Sequence, residues 1–361
     1  MRAFGGPEVL QVEEVPVRRP GDGEVLVRVT AVSVGRLLDV TARAGKLSFA
    51  QIAVPHILGA EHVGVVQRVG GGVDGVEVGD RVAVFPVIAD GSCQMCLDGQ
   101  DEACPNLEII GVHRQGAYAT YTTVPARQLH RIPAETSDID ACALALAGPV
   151  SRRQLDAAGA APGAWVLVQA AGSALGACAA MLAKFDGANV IGTTRNAAKV
   201  PALTALGLDA ALNWESPTFV DDVMALTGGR GVDIVIDNIG DAAMFLTSTA
   251  VLATGGVLVS SGAFAGGSVT LDLARLYLRN QQVLGVRTGN QESVRRLWDD
   301  VARGFRTAVD TTFSVRQAAD AHRYVEHHDN VGRVVLTADW FCLADTREVQ
   351  APESIATEGA R

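Results

Sequence analysis

Three of the six cysteines in this 361-residue chain, Cys93, Cys96 and Cys104, fall within twelve residues. In a cytosolic setting, a Cys-x2-Cys pair followed closely by a third thiol reads as metal-binding before disulfide. A second candidate is the turn Ala171-Gly172-Ser173-Ala174-Leu175-Gly176, whose small residues let backbone approach an anion. It is an altered G-x-G-x-x-G, with Ala171 and Ser173 in the first two glycine positions, Gly176 in the third and Gly172 displaced. At the start of a helix, free amides and the positive end of the dipole hold a pyrophosphate. The third candidate is Thr193-Thr194-Arg195-Asn196-Ala197-Ala198-Lys199. An NAD site carries an acid at such a strand end for the ribose 2′-hydroxyl, whereas an NADP site offers cations to the 2′-phosphate. No acid stands here, and Arg195 and Lys199 lie four apart on one side of a helix start, which reads as NADP(H).

The elements that position these groups follow from hydrophobic patterning. An apolar run over 165–170, the turn, a small-residue helix over 177–184 and a second apolar run over 188–193 make one strand–turn–helix–strand unit. Further buried-strand runs at 232–237 and 256–261, with helical stretches between, predict a doubly wound parallel sheet. Asn238 and Gly240 follow one of these strands and Ser261 and Gly262 the other, where open α/β sheets bind their ligands. Upstream, short alternating strands with glycine turns predict a small barrel-like domain, one strand of which begins at Gly116. Residues 141–161 read as one helix, 292–303 and 316–328 as two more, 332–336 as a last strand, and 338–361 as a poorly packed polar tail. The fold class is α/β.

The net charge of −10 excludes a nucleic-acid partner, because phosphate neutralisation needs a basic surface. No apolar run approaches the ~20 residues of a membrane span, and residues 1–4 begin no signal-peptide core. The expectation is a cytoplasmic protein with a small-molecule substrate and no membrane contact.

Taken in order, Gly59-Ala60-Glu61, Gly79-Asp80-Arg81-Val82, the cysteine lobe and Gly116-Ala117-Tyr118-Ala119-Thr120-Tyr121 form a consistent series of marks. The unit at 165–184, Asp237-Asn238-Ile239-Gly240 and Gly332-Arg333-Val334-Val335-Leu336 continue it. The chain resembles the medium-chain dehydrogenase/reductase superfamily of zinc alcohol dehydrogenases and quinone oxidoreductases over nearly all of residues 1–337. The resemblance implies a GroES-like catalytic domain over 1–127 and 291–361, a Rossmann domain over 128–290, a cleft between them and a homodimer.

It also implies where metals belong. The three catalytic-zinc positions hold Arg36, Ala60 and Leu146, none of which offers a lone pair to zinc. Quinone oxidoreductases usually carry Asn where Arg36 stands. The structural zinc lobe, C-x2-C-x2-C-x7-C in the family, is matched by Asp90, Cys93, Cys96 and Cys104. The reading is a structural zinc and no catalytic zinc. Hydride transfer from NADPH to an activated alkene or quinone remains, with Arg36, His113 and Tyr118 as candidates for oxyanion or proton handling. Ser151 stands where the family has a Thr near the nicotinamide, and Arg287, past the last Rossmann strand, flanks the cofactor or a dimer seam. The alternatives are an alcohol-dehydrogenase-like carbonyl reductase and a non-catalytic NADP(H)-binding protein.

Overall fold

The structure, a computed structural model, describes residues 1–327 and 330–338. Strand β1 (Glu24–Ser33) is the hub of the first sheet. It pairs with β2 (His62–Val69) and β6 (Tyr121–Pro125), both antiparallel. Beyond β2 come β3 (Arg81–Val84) and then β7 (Leu129–Arg131). Between β3 and β6 a short ribbon, β4 (Val87–Ile88) with β5 (Glu108–Ile109), carries the cysteine lobe and its one-turn helix α1 (Gln94–Leu97). On the other side of β1 lie β15 (Arg333–Thr337) and β14 (Val309–Ser314), so the carboxy-terminal strands return to the first sheet. Strand β6 begins only at Tyr121. The amides of Gly116, Ala117 and Tyr118 instead bond the carbonyls of Ile57, Gly59 and Leu58, which ties this segment to the loop before β2.

Two helices replace the one read over 141–161: α2 (Asp138–Leu144) and α3 (Ala147–Ala157). The physical reason is Pro149, which is tolerated only in the first turn of a helix, so the helix restarts at Ala147. Ser137 caps α2 by accepting from the Asp140 amide.

The second sheet is wholly parallel, in the order β10-β9-β8-β11-β12-β13. Its strands are β8 (Trp165–Val168), β9 (Asn189–Thr194), β10 (Ala210–Asn213), β11 (Val232–Asp237), β12 (Leu252–Ser260) and β13 (Gln282–Gly285). The strand order reverses between β8 and β11, which opens a crevice at their carboxyl ends. Strand periodicity divides the core: Val166, Val168, Ile234 and Ile236 face one cluster, while Leu167, Ile191, Val235 and Leu258 face another. Helix α4 (Ala174–Phe185) belongs to the first cluster, where its alanines let it lie close to the sheet. Helices α5 (Val200–Ala205), α6 (Phe219–Leu226), α7 (Ala242–Val251) and α8 (Leu273–Leu278) complete the crossovers. Helix α9 (Gln291–Ala302) packs on α3, where Leu297 fills the space left by Gly148. Helix α10 (Ala318–Glu326) follows a 3-10 turn at 315–317; residue 328 of the expected helix and the tail beyond 338 lie outside the described residues.

Candidate active site and metal lobe

The turn after β8 is built for close approach. Ala170 takes a left-handed φ of 49°, a conformation that L residues rarely adopt. A Cβ on Gly176 would run into the Ala170 carbonyl, so only glycine lets α4 start so near the strand. Ser173 is the N-cap, its hydroxyl accepting from the Gly176 amide at 3.0 Å. The amides of Ala174 and Leu175, at the first two helical positions, have no acceptor within the helix. Arg195 is exposed at the end of β9 and makes no hydrogen bond or ion pair among the described residues. Thr194 Oγ1 instead accepts from the Asn196 amide at 3.1 Å and shapes the corner. Lys199 Nζ donates to the Asn330 carbonyl at 2.8 Å, which draws it over the turn, its Cδ 3.6 Å from where a Gly172 Cβ would stand.

The ends of β11 and β12 make the other wall. Asp237 Oδ1 accepts from the Ile239 and Gly240 amides at 2.8 and 2.9 Å and so folds the loop carrying Asn238. Burial raises the Asp237 pKa, and the two amides oppose that shift. A Cβ on Gly262 would strike the Asn238 carbonyl, so the two loops touch backbone to backbone. Gln154, on α3, donates to Asn238 Oδ1 at 2.6 Å. Gln154 Oε1, Asn238 Nδ2 and Ser261 Oγ are buried without a hydrogen-bond partner. Buried polar atoms are normally paired, so orphans on α3 and on these strand ends fit a ligand rich in donors and acceptors, as a nicotinamide dinucleotide is. Ser151 lies against the Cys178 thiol, whose pKa burial pushes up to about 11. The sequence reading gave no site role to Asp237, named only within the mark at 237–240, and did not name Gln154. Asp237 was legible as the last residue of a strand run, whereas Gln154 carried no signal.

In the first domain, three ionisable groups meet under the Arg36 turn. Glu61 Oε1 accepts from Arg333 Nη1 at 2.8 Å, both side chains almost fully buried. Asp39 accepts from the Gly35 amide at 2.7 Å and the Gly59 amide at 3.0 Å. Burial, with Glu61 nearby, raises the Asp39 pKa to about 7. Arg36 opens the helical turn Arg36–Thr41, and one guanidinium nitrogen donates to the Val325 carbonyl near the negative end of α10. Ala60 and Leu146 share an apolar cluster with Leu38 and Val112. His62 is a core histidine: Nδ1 bonds the Ala60 carbonyl at 2.9 Å, and burial lowers its pKa to about 4.

His113 is exposed, and its Nδ1 accepts from the Ile109 amide at 2.9 Å. Tyr118 packs in the first-domain core, its Oη 3.0 Å from His322 Nε2. His322 Nδ1 lies 3.2 Å from Arg43 Nη1, and Arg43 also binds Glu326. Arginine only donates, so His322 Nδ1 accepts and Nε2–H donates to Tyr118. Burial and Arg43 lower the His322 pKa to about 3, while burial raises that of Tyr118. Arg36 and Tyr118 thus both contact α10, through Val325 and His322, whereas His113 lies on the surface.

In the lobe, the ligand atoms of Asp90, Cys93, Cys96 and Cys104 all lie within 4.8 Å of one another. Among the described residues this is the one group of His, Cys, Asp and Glu so gathered. Asp90 is held well below the usual carboxylate range by the Cys93 and Ser92 amides and by Asn106. Desolvation and the neighbouring thiols push Cys96 up to about 12. A divalent cation reverses that cost by taking the thiols as thiolates, so the residues fit a tetrahedral zinc with one oxygen and three sulfur ligands. Arg287 Nη1 donates to the Cys104 carbonyl at 3.1 Å, so its observed contact is with the lobe.

Comparison with known proteins agrees with this architecture. Residues 21–134 match the model of the alcohol dehydrogenase GroES-like domain, and residues 174–303 that of the zinc-binding dehydrogenase. The NAD-dependent alcohol dehydrogenase of Sulfolobus acidocaldarius is 31% identical, over 93% of this chain and 98% of its own. A 2-haloacrylate reductase of a Burkholderia species is 31% identical, over 92% and 96%. A crystal structure of an NAD-dependent alcohol dehydrogenase superposes with a TM-score of 0.86 at 36% identity, covering 94% of this chain and 98% of that one. The chain belongs to the medium-chain dehydrogenase/reductase superfamily and is an oxidoreductase by that membership. No helix among the described residues is long and apolar enough to cross a membrane.

Purified protein is expected to carry about one zinc per chain, as one complete ligand set predicts. Metal analysis of gently prepared protein checks this, and zinc-free protein would leave the lobe as a set of reduced thiols.

Proposed function

We propose that the chain is an NADPH-dependent reductase of activated C=C bonds or quinones that works without a catalytic zinc. The observation that carries the reading is the donor set. The positions that hold catalytic zinc elsewhere in the family are Arg36, Ala60 and Leu146, and the last two lie in one apolar cluster. The relative named 2-haloacrylate reductase supports reduction of a conjugated substrate. Relatives named NAD-dependent alcohol dehydrogenase favour a second reading, alcohol oxidation with NAD. Steady-state turnover separates the two: NADPH consumption with enones, quinones or a haloacrylate supports the first, and NAD reduction by simple alcohols the second.

NADPH, when bound, would supply the hydride that the β-carbon of a conjugated substrate accepts. The chain positions the pyrophosphate at the start of α4 and the nicotinamide end beside Asn238 and Ser261. The charge that develops on the substrate oxygen calls for a fixed donor, a part that Arg36, at a zinc-ligand position of the family, takes in this reading. Its guanidinium also donates to the Val325 carbonyl. It acts as a hydrogen-bond fork and not as a Lewis acid. Two chains pair, in this reading, along β13, the edge of the parallel sheet, beside which Leu273, Tyr277, Leu278 and Val283 are exposed.

Three measurements test these statements. Titration of both cofactors is expected to show NADPH binding more tightly, with Arg195→Ala removing most of the difference at about 1.5–3 kcal/mol per lost contact; equal affinities in the wild type would refute the assignment. Arg36→Ala is expected to lower kcat by about 10²–10³, as loss of one oxyanion donor does, with NADPH affinity nearly unchanged; full kcat would make Arg36 a fastening for α10. Sedimentation should give twice the chain mass, and Leu278→Asp should give the monomer; a wild-type monomer rejects the pairing.

A further inference from the structure

The segment between the last two cysteines reaches out of the lobe. Glu102, its side chain only 9% exposed, stands in the 3-10 turn Asp101–Ala103, between Cys96 and Cys104. Its Oε1 accepts from Arg153 Nε at 2.7 Å, and its Oε2 from Asn290 Nδ2 at 3.0 Å. Arg153 lies on α3 and Asn290 is the N-cap of α9, so one carboxylate clasps α3 and the start of α9 together. Asp101 Oδ2 accepts from the Gln291 amide at 3.2 Å, at the positive end of α9. Arg287 closes the set by donating to the Cys104 carbonyl. The residue after Arg153 is Gln154, which holds Asn238 in the loop after β11 at 2.6 Å.

We propose that the metal lobe and the nicotinamide site are energetically coupled, with Glu102 as the positioning residue between them. Metal held by the cysteines fixes the turn over 101–103. The turn presents Glu102 to Arg153 and Asn290, and α3 then presents Gln154 to the Asn238 loop. Loss of the metal frees the turn, releases α3 and weakens cofactor binding. Thermodynamic linkage makes the effect reciprocal: bound cofactor tightens the hold on the metal by the same factor. The lobe thereby does more than stabilise its own loop. The inference rests on the reading that the chain binds a nicotinamide cofactor.

The test uses the zinc-loaded full chain and Glu102→Gln. Glutamine has one acceptor oxygen and so meets Arg153 or Asn290, but not both. We expect Glu102→Gln to bind NADPH about five- to tenfold more weakly, within the usual span of such couplings, with its zinc content unchanged. In the wild type, saturating NADPH should lower zinc transfer to a competing chelator by a similar factor. A variant with lowered Tm but wild-type NADPH affinity overturns the proposal, because a merely structural clasp gives that result. Equal zinc transfer with and without NADPH also overturns it, and this arm needs no variant to fold. Wild-type protein that binds neither NADPH nor NADH fails the cofactor reading instead, which keeps the two failures apart.

Discussion

The buried pair of Glu61 and Arg333 joins two distant parts of the chain, and the first domain depends on it. Glu61 stands just before β2 and Arg333 opens β15, so the bond fastens the amino-terminal strands to the carboxy-terminal return. Breaking such a pair by removing one partner typically costs about 3–5 kcal/mol, since the other charge stays buried. Asp39 extends the arrangement. A Cβ on Gly35 would stand 3.2 Å from Asp39 Oδ2, 3.5 Å from Glu61 Oε1 and 4.0 Å from Arg333 Nη1. Burial raises the pKa of both carboxyls, Asp39 to about 7, and Arg333 opposes the shift at each. The Arg36 turn is held directly above this group through the Gly35 amide.

The second domain relies on packing and backbone geometry. Alternate residues of β8 and β11 feed the two faces of the parallel sheet, which leaves the strand ends for chemistry. At those ends polar side chains organise backbone: Ser173 caps α4, Asp237 folds the Asn238 loop, and Gln154 reaches across from α3. The wall at these strand ends is therefore an assembly of three separate segments, and α3, which supplies Gln154, is also the helix that the cysteine lobe grips.

Much of this was legible in order along the chain. Strand alternation, the small-residue turn before α4 and the Cys-x2-Cys spacing are local signals, and local signals survive in a sequence because they constrain neighbours a few residues apart. The break between α2 and α3 was missed by the reading of one helix over 141–161, although its signal, Pro149 near a helix start, was local too. His62, one residue from the motif at 59–61, turned back on the Ala60 carbonyl.

The sequence, with the family resemblance it carries, determined that positions 36, 60 and 146 offer zinc no lone pair, that a basic residue and no acid follows β9, and that Asp90 and three cysteines match the family's structural-zinc lobe. Tertiary structure decided the roles that depend on partners far along the chain. Arg287 turned to the Cys104 carbonyl, 183 residues away. Tyr118 met His322, 204 residues on, and Glu102 met Asn290, 188 residues on. A side chain's hydrogen-bonding capacity is written in its identity, but which partner completes it is set by how the chain packs, and no spacing rule spans that distance.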